Sequence, residues 1–349
     1  MQAFHLVKAN AGAAGVDKQS IADFEKDLKD NLYKLWNRLS SGSYFPAPVK
    51  AVSIPKKTGG ERILGVPTVA DRIAQMVVKL AFEPNVEPYF LKDSYGYRAG
   101  KSALDAIGVT RQRCWRYNFV LEYDIIGLFD NLDHELLRKA VRKHTDNQWV
   151  ILYIERWLKA PIQLPDGTLK ERDKGVPQGG VISPVLSNLF MHYVFDIWMM
   201  KKHPTIPWCR YADDGLAHCE TEWQAQQLLA ELKQRFKECK LEPHPDKTKI
   251  VYCKDGKRRD EYPNTEFDFL GYGFRRRVAK NSRTNKLFIG FAPGVSKSSG
   301  RSMRAKNRVR GALKRRLPTE PCVRDRTRLL KKDIPIVDNQ TNEAFVYWI

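Results

Sequence analysis

Two adjacent carboxylates, Asp213 and Asp214, are the residues whose type and spacing most directly suggest chemistry. They lie between two short apolar runs and precede Gly215, a pattern that predicts a tight β-hairpin with the acids at its tip. An isolated Asp-Asp turn is most often simply solvated. If this pair is even half-buried, the two charges repel and lose solvation, so a cation is needed beside them. Mg²⁺, which is held by few carboxylates together with substrate phosphates, is the expected ion.

A third carboxylate, Asp124, directly follows the apolar run Phe119–Tyr123, which predicts a buried strand. Taken alone, Asp124 could equally be a capping or turn residue. A strand-end acid and two hairpin-tip acids on one antiparallel sheet would, however, converge on a single metal site. Nucleotide addition uses two metal ions about 3.5–4 Å apart, one on the attacking oxygen and one on the leaving phosphate. The three acids together therefore favour a nucleotidyl-transfer site.

The composition favours a polyanionic partner. The chain has 349 residues with a formal net charge of +20, and 42% of its residues are hydrophobic, as in a globular protein of two or three subdomains. Nucleic acid is the leading candidate partner and an anionic membrane surface is the alternative, although no apolar run approaches the ~20 residues of a spanning helix. The six cysteines form no C-x-x-C pair, which argues against a zinc site and predicts reduced thiols in a cytoplasmic protein.

Hydrophobic periodicity predicts alternating helices and short strands that place these acids. The helices are expected at residues 18–40, 71–82, 102–116, 133–141, 148–159, 181–200 and 223–239. The strands are expected as a pair within 49–67 joined by a basic turn, and at 119–126, 248–253, 267–274 and 287–291. Ser102 is expected to cap its helix, and Pro184 to lie in the first turn of the helix that it opens.

Three ordered motifs resemble successive blocks of a reverse transcriptase: D-I-I-G-L-F-D-N at 124–131, G-V-P-Q-G-G-V-I-S-P at 175–184 and Y-A-D-D at 211–214. Four further blocks match at 12–17, 54–72, 94–102 and 269–272, so the resemblance covers about residues 10–295. The form Q-G-x-x-x-S-P is similar to that of bacterial group II intron-encoded reverse transcriptase/maturase proteins rather than to retron or diversity-generating enzymes. Y-A-D-D alone is a weak signal, but seven ordered blocks are specific.

The resemblance implies an α+β fold, a right-hand polymerase with fingers and palm and an antiparallel palm sheet packed with helices. Residues 1–118 would form the fingers and N-terminal blocks, and 119–295 the palm, with fingers insertions within 140–180. Residues 296–349, a basic tail, would be a remnant or truncated thumb/maturase region, because the resemblance fades after about residue 305. The thumb is therefore expected to be incomplete or absent.

For the reacting centre, the resemblance implies that Asp124, Asp213 and Asp214 hold two Mg²⁺ ions, with Mn²⁺ as a substitute. Lys56 and Arg62 would grip the incoming triphosphate, where two cations counter developing phosphate charge. A solvated hairpin turn is the ordinary alternative for these two cations.

Four further residues receive roles from the resemblance. Phe129 would lie under the sugar and exclude a ribose 2′-hydroxyl, Gln178 would line the nucleotide and template pocket, and Arg98 would contact template phosphates. Lys247 would donate a proton to pyrophosphate. A core aromatic and a plain surface lysine are the ordinary alternatives for Phe129 and Lys247.

The expected function is that of a group II intron RNA-directed DNA polymerase, which adds dNTPs to a DNA primer on an RNA template, itself expected to be intron RNA. Help in intron splicing and mobility is implied as well. A catalytically impaired, truncated maturase-like RNA-binding protein is the alternative, favoured by the missing thumb. A primase or RNA-dependent RNA polymerase shares the palm chemistry, but Phe129 and the Gln-Gly turn disfavour it. No membrane partner is expected, and the oligomeric state is left open.

Overall fold

The computed structural model of the chain describes residues 1–55, 60–280 and 285–305. Lys56 in the basic turn and the tail beyond residue 305, on which the thumb prediction depends, lie outside the described residues. The helices are α1 Gln2–Ala9, α2 Ile21–Lys26, α3 Leu28–Ser40, α4 Val69–Val86, α5 Ala103–Cys114, α6 Leu128–Asn131, α7 His134–Arg142, α8 Gln148–Lys159, α9 Ser183–Met191, α10 Ile197–Lys202 and α11 Glu222–Glu238. Residues 297–305 are also helical.

Three sheets accompany these helices, and the described strands confirm the α+β prediction. The strands are β1 Val49–Pro55, β2 Glu61–Val66, β3 Phe119–Tyr123, β4 Ile162–Gln163, β5 Leu169–Lys170, β6 Trp208–Tyr211, β7 Asp214–Cys219, β8 Lys249–Tyr252, β9 Phe267–Phe269, β10 Tyr272–Lys280 and β11 Leu287–Val295. The first sheet has the order β2-β1-β4-β5, the second β6-β7-β3-β8 and the third β11-β10-β9.

The second sheet is antiparallel throughout, and its central strand β3 is covered on both faces. On one face Tyr123 packs against Phe195 and Phe236, with ring centroids 4.9 and 5.5 Å away. On the other face Val120 joins a separate core that includes α5 and the third sheet, where Phe267 and Phe274 stack at 4.7 Å. Period-two alternation sends neighbouring β3 side chains into these two cores, so the strand and the acid that follows it are firmly held.

The first sheet joins distant parts of the chain. β1 and β2 form an antiparallel hairpin, and β1 also pairs in parallel with β4, with Val49 opposite Ile162. Strands β4 and β5 therefore add part of the 140–180 region to the hairpin sheet, as a fingers insertion would. The domain limits at 118 and 295 themselves stay predictions.

Two predicted helices are interrupted. The 18–40 helix is divided at Asp27, whose φ of −116° and ψ of 45° leave the helical region, and the Asn31 side chain donates to the Phe24 carbonyl across the break at 2.9 Å. Pro184 begins its helix as expected, but the 181–200 helix contains a π-helical turn at His192–Asp196. Ser102 caps α5 in a capping box with Asp105, as predicted. No described helix is both long and apolar enough to cross a membrane.

Asp71, which is 1% exposed on α4, ties this helix to distant segments. Its carboxylate accepts hydrogen bonds from Tyr44 Oη at 2.9 Å, Trp157 Nε1 at 2.7 Å and Gln75 Nε2 at 2.9 Å. Gln75 Oε1 in turn accepts from the Ile182 backbone N–H at 3.3 Å. Burial raises the pKa of Asp71 to about 6, because loss of hydration outweighs these neutral donors.

We predict that Asp71 makes stability fall as the pH rises. The pKa of Asp71 is about 6 in the folded protein, above the ordinary 3.8. Between these two pH values the folded protein therefore keeps Asp71 protonated, whereas the unfolded chain releases the proton. The stabilisation is full below about pH 4 and is lost as the pH rises through about 6, an effect of about 2–3 kcal/mol. Urea unfolding of wild type and Asp71→Asn across this interval should therefore show a wild-type advantage that shrinks with pH. An advantage that is constant, or that grows with pH, would contradict this assignment.

Candidate active site

The Asp-Asp motif forms a hairpin, but its turn lies one residue earlier than expected. β6 pairs with β7, Tyr211 lies opposite Asp214, and Ala212 and Asp213 form the turn. Ala212 adopts a φ of 56°, and Asp214 and Gly215 already belong to β7. Gly215 is needed in the strand rather than in the turn, because any Cβ there would overlap the Tyr123 ring.

The sheet register brings Asp124 to the hairpin. Tyr123, the last residue of β3, pairs with Gly215 of β7, so Asp124 emerges beside Asp214. Burial and the neighbouring charges of Asp213 and Asp124 raise the pKa of Asp214 well above its usual range. Burial, followed by the charge of Asp124, also raises the pKa of Asp213. The three predicted acids thus form one electrostatically coupled cluster.

Two predicted cations act on this cluster. Lys247 Nζ donates to Asp124 Oδ2 at 2.9 Å, where the Asp124 side chain is only 13% exposed. Although burial opposes it, this bond raises the pKa of Lys247. The positive charge of Arg62 on β2 lowers the pKa of Asp213 and so offsets part of the rise. The hairpin of the first sheet therefore faces the acids.

The donor set suits a hard divalent cation. Carboxylate oxygens are the ligands that such ions prefer, and a cation would relieve the repulsion that raises the pKa values of Asp213 and Asp214. Within the described part of the chain, however, no three His, Cys, Asp or Glu side chains already form a metal-coordinating group. Asp124 is paired with Lys247 instead. The chemistry of the acids therefore fits a divalent metal ion, and the bond to Lys247 occupies only one of the two Asp124 carboxylate oxygens.

Phe129 and Gln178 are linked through the short helix α6. Phe129 lies on α6, and Gln178 Nε2 donates to the Asp130 carboxylate on the same short helix at 2.8 Å. The 175–180 loop is also held against β2, where the Gly65 N–H donates to the Gln178 carbonyl at 2.8 Å. Gly179 permits this approach, because a Cβ at its φ of +122° would lie 2.5 Å from the Gly65 oxygen.

Tyr97 lies between Phe129 and the acidic hairpin but was not predicted. Its ring lies edge-on to Phe129 at 6.3 Å and at 6.4 Å from Tyr211. Burial and the charge of Asp213 raise the pKa of Tyr97 to about 12. The residue before it, Gly96, packs so closely on the Ala212–Asp213 turn that a Cβ would lie 2.5 Å from the Ala212 nitrogen. The signal in the sequence was the string Ser-Tyr-Gly-Tyr-Arg, in which a glycine between aromatics marks a close backbone approach.

Arg210 supports the Ala212–Asp213 turn and was also missed by the sequence reasoning. It is fully buried and all five of its N–H donors are used. Two go to the Asp196 carboxylate, both at 2.7 Å, and the others reach Asn188 Oδ1, the Ala212 carbonyl and Ser94 Oγ. Since an arginine cannot be buried without partners, an arginine inside an apolar strand was the available signal.

Arg98 does not have the geometry expected for a template contact. Its side chain is 7% exposed and its guanidinium is bound within the protein, to Glu87 Oε1 at 2.8 Å and to the carbonyls of Leu91 and Ser94 at 2.7 and 2.8 Å. It also lies over the Phe90 ring. With its donors engaged in this way, Arg98 shapes the 87–98 segment rather than offering a free charge to phosphates.

Comparison with known proteins agrees with this architecture. A solved structure entitled "Structure of apo telomerase from Candida Tropicalis truncated from C-terminal domain" superposes with a TM-score of 0.50 at 14% identity, covering 73% of this chain and 60% of that one. This likeness, together with the antiparallel sheet that carries the acids, identifies the fold as that of a right-hand polymerase.

Sequence relatives specify the class further. Residues 54–274 match the family described as "Reverse transcriptase (RNA-dependent DNA polymerase)". Protein YkfC of Escherichia coli (strain K12) is 30% identical over 322 residues, which cover 81% of each chain. Group II intron-encoded protein LtrA of Lactococcus lactis subsp. cremoris is 31% identical over 193 residues, 54% of this chain and 32% of LtrA. The putative COX1/OXI3 intron 1 protein of Saccharomyces cerevisiae is 31% identical over 186 residues, 50% of this chain and 22% of that protein.

The chain belongs to the reverse transcriptase family, with group II intron-encoded proteins among its relatives, as its motifs predicted. The family depends on divalent metal ions. The chain spans about a third or less of the length of the two intron-encoded relatives.

We predict that Gly96→Ala impairs nucleotide addition while leaving the fold intact. The new Cβ would press on the Ala212 nitrogen and displace the turn that carries Asp213. A shift of about 1 Å in a catalytic group can cost about 100-fold in rate. Single-nucleotide primer extension measures the loss, and far-UV circular dichroism checks the fold.

Gly108→Ala is the matched control, because a Cβ at this α5 position meets nothing within 4 Å. Alanine should stabilise the helix slightly there and leave the rate unchanged. Equal rates for Gly96→Ala and Gly108→Ala would show that the contact with Ala212 does not position the turn.

Proposed function

We propose that this chain catalyses RNA-directed DNA synthesis at the Asp124–Asp213–Asp214 cluster. The observation that carries the proposal is the convergence of three mutually repelling carboxylates, from β3 and from the β6–β7 hairpin, opposite a cationic hairpin. The three acids would hold two Mg²⁺ ions, with Mn²⁺ as a substitute. These ions supply charge stabilisation at the attacking and leaving oxygens when bound.

The protein groups around the acids have complementary roles in this proposal. Arg62, together with Lys56, would bind the triphosphate of an incoming dNTP, since Arg62 already faces Asp213. Gln178 and Phe129 would shape the pocket for the base and sugar. Lys247, held beside Asp124, would give an ammonium proton to an oxygen of the leaving pyrophosphate.

The substrates follow from the relatives and from the charge. A net charge of +20 suits an RNA template and a DNA primer, and the intron-encoded relatives support intron RNA as the template. Assistance in splicing and mobility would belong to the same role. Fingers at 1–118, with insertions within 140–180, and a palm at 119–295 complete the proposal. We also propose a cytoplasmic location, supported by the five cysteines of the described residues, which are all free and buried.

We predict that the purified protein extends a DNA primer on an RNA template with Mg²⁺ and dNTPs, and that Asp213→Asn/Asp214→Asn abolishes extension. Asparagine keeps the size of each side chain but removes the negative charges that would hold the metal ions. The measurement is gel-resolved primer extension, with RNA binding of both proteins measured in parallel.

Wild-type incorporation no higher than that of the double variant would refute the polymerase proposal. If both proteins then still bound RNA in a salt-sensitive way, the chain would be an RNA-binding protein without catalysis. Competition between rNTPs and dNTPs in the same assay separates a reverse transcriptase from an RNA polymerase.

We predict that Phe129→Ala relaxes the choice of sugar. Removing the ring next to Tyr97 opens space where a ribose 2′-hydroxyl would collide. Steric selection of this size is worth about 10–200-fold, so the ratio of kcat/KM for dNTP over rNTP should fall by that order. Steady-state single-nucleotide incorporation measures the ratio, and the dNTP value itself reports general damage. An unchanged ratio would place Phe129 in the core alone.

A further inference from the structure

A basic cleft lies at the β6 edge of the palm sheet, apart from the acid cluster. Its volume is about 450 Å³, and its walls are the C-terminal half of α5 and the 92–101 segment that precedes that helix. Four cations line it, Lys92, Lys101, Arg113 and Arg116, whereas Asp93 is the single carboxylate in the lining. We call these four residues and the space between them the basic cleft.

The charge of the basic cleft is not balanced by the cleft itself. Asp93 accepts a hydrogen bond from Arg113 Nη2 at 2.9 Å, so this carboxylate compensates only one of the four cations. Lys101 Nζ is fixed by a bond to the Lys92 carbonyl at 2.8 Å and lies 5.0 Å over the Tyr95 ring. Lys92, Lys101 and Arg116 therefore have no carboxylate partner in the lining, and an anion between the walls would compensate their charge.

The helix dipole accounts for only part of this arrangement. Arg113 and Arg116 lie at the C-terminal end of α5, where cations are ordinarily favourable. Lys101 directly precedes the N-cap Ser102, at the end of the helix where a cation is disfavoured. The helix dipole therefore does not account for Lys101 on the opposite wall.

Tyr117 adds an aromatic ring to the lining of the basic cleft. Cations beside an aromatic ring suit a nucleic-acid strand, since phosphates pair with the cations and a base stacks on the ring.

The position of the cleft relates it to the active site. The 92–101 segment carries Lys92 and Lys101 into the cleft and also places Tyr97 against Phe129. We propose that the basic cleft binds consecutive backbone phosphates of an RNA strand outside the polymerase site. Cations on two walls match a run of phosphates better than one compact triphosphate.

The test compares RNA binding by Lys92→Gln/Lys101→Gln/Arg116→Gln with wild type. Fluorescence anisotropy with a labelled single-stranded RNA of mixed sequence, across a salt series, gives the affinity and its salt slope. Loss of three phosphate contacts should weaken binding by about tenfold or more and reduce the log–log salt slope by about 2. Lys201→Gln/Lys202→Gln/Lys233→Gln is the matched control, because it removes the same charge from exposed positions on α10 and α11.

Affinity of the control within about twofold of wild type, with the cleft variant weakened, supports the proposal. Equal losses in both variants, or no loss in the cleft variant, overturn it. Displacement of RNA by dTTP from wild type but not from the cleft variant would also overturn it, since the cleft would then hold a free nucleotide. Binding does not require catalysis, so the same comparison in the Asp213→Asn/Asp214→Asn background keeps this result separate from the polymerase proposal.

Discussion

The buried ion pair between Arg210 and Asp196 is the interaction on which the active site most depends. Both side chains are fully buried, and the guanidinium outweighs the effect of burial, so the pKa of Asp196 lies below its usual value. Such a pair is costly to desolvate, and removing one partner typically costs about 3–5 kcal/mol because a bare charge remains. Here the buried pair also positions neighbouring segments, because the other donors of Arg210 reach Asn188, Ser94 and the Ala212 carbonyl.

Three otherwise separate segments are fixed through this guanidinium. Asp196 closes the π-helical turn between α9 and α10, so the irregularity that interrupts the predicted helix coincides with the ion-pair partner. Asn188, one helix earlier, donates to the Gly96 carbonyl at 2.5 Å. The Gly96 backbone in turn rests on Ala212, so the loop with Tyr97 and the acidic turn share one buried support. A fully buried side chain thereby fixes the position of the turn that carries Asp213.

The sequence predicted correctly those parts of the molecule whose conformation depends on a few neighbouring residues. The acidic hairpin, the strand before Asp124 and the Ser102 cap each follow from a few neighbouring residues. Sequence reasoning failed where particular side-chain contacts decide. The break at Asp27, the π turn and the inward-facing Arg98 depend on contacts that periodicity does not encode. The predicted position of the turn was wrong by one residue, because the Tyr123 ring from another strand packs against Gly215 and requires a glycine there.

The three acids repel one another, and the structure around them holds them in place. Burial and mutual charge raise the pKa values of Asp213 and Asp214, so the free carboxylates would separate if the backbone allowed it. The Arg210 network, the β3–β7 register and the contact of Gly96 with Ala212 prevent that movement. Lys247 offsets part of the charge at Asp124, and Arg62 part at Asp213. Because the backbone holds the three acids together, their repulsion can be reduced only by a bound cation or by protonation of one carboxyl group. The cluster therefore attracts metal ions.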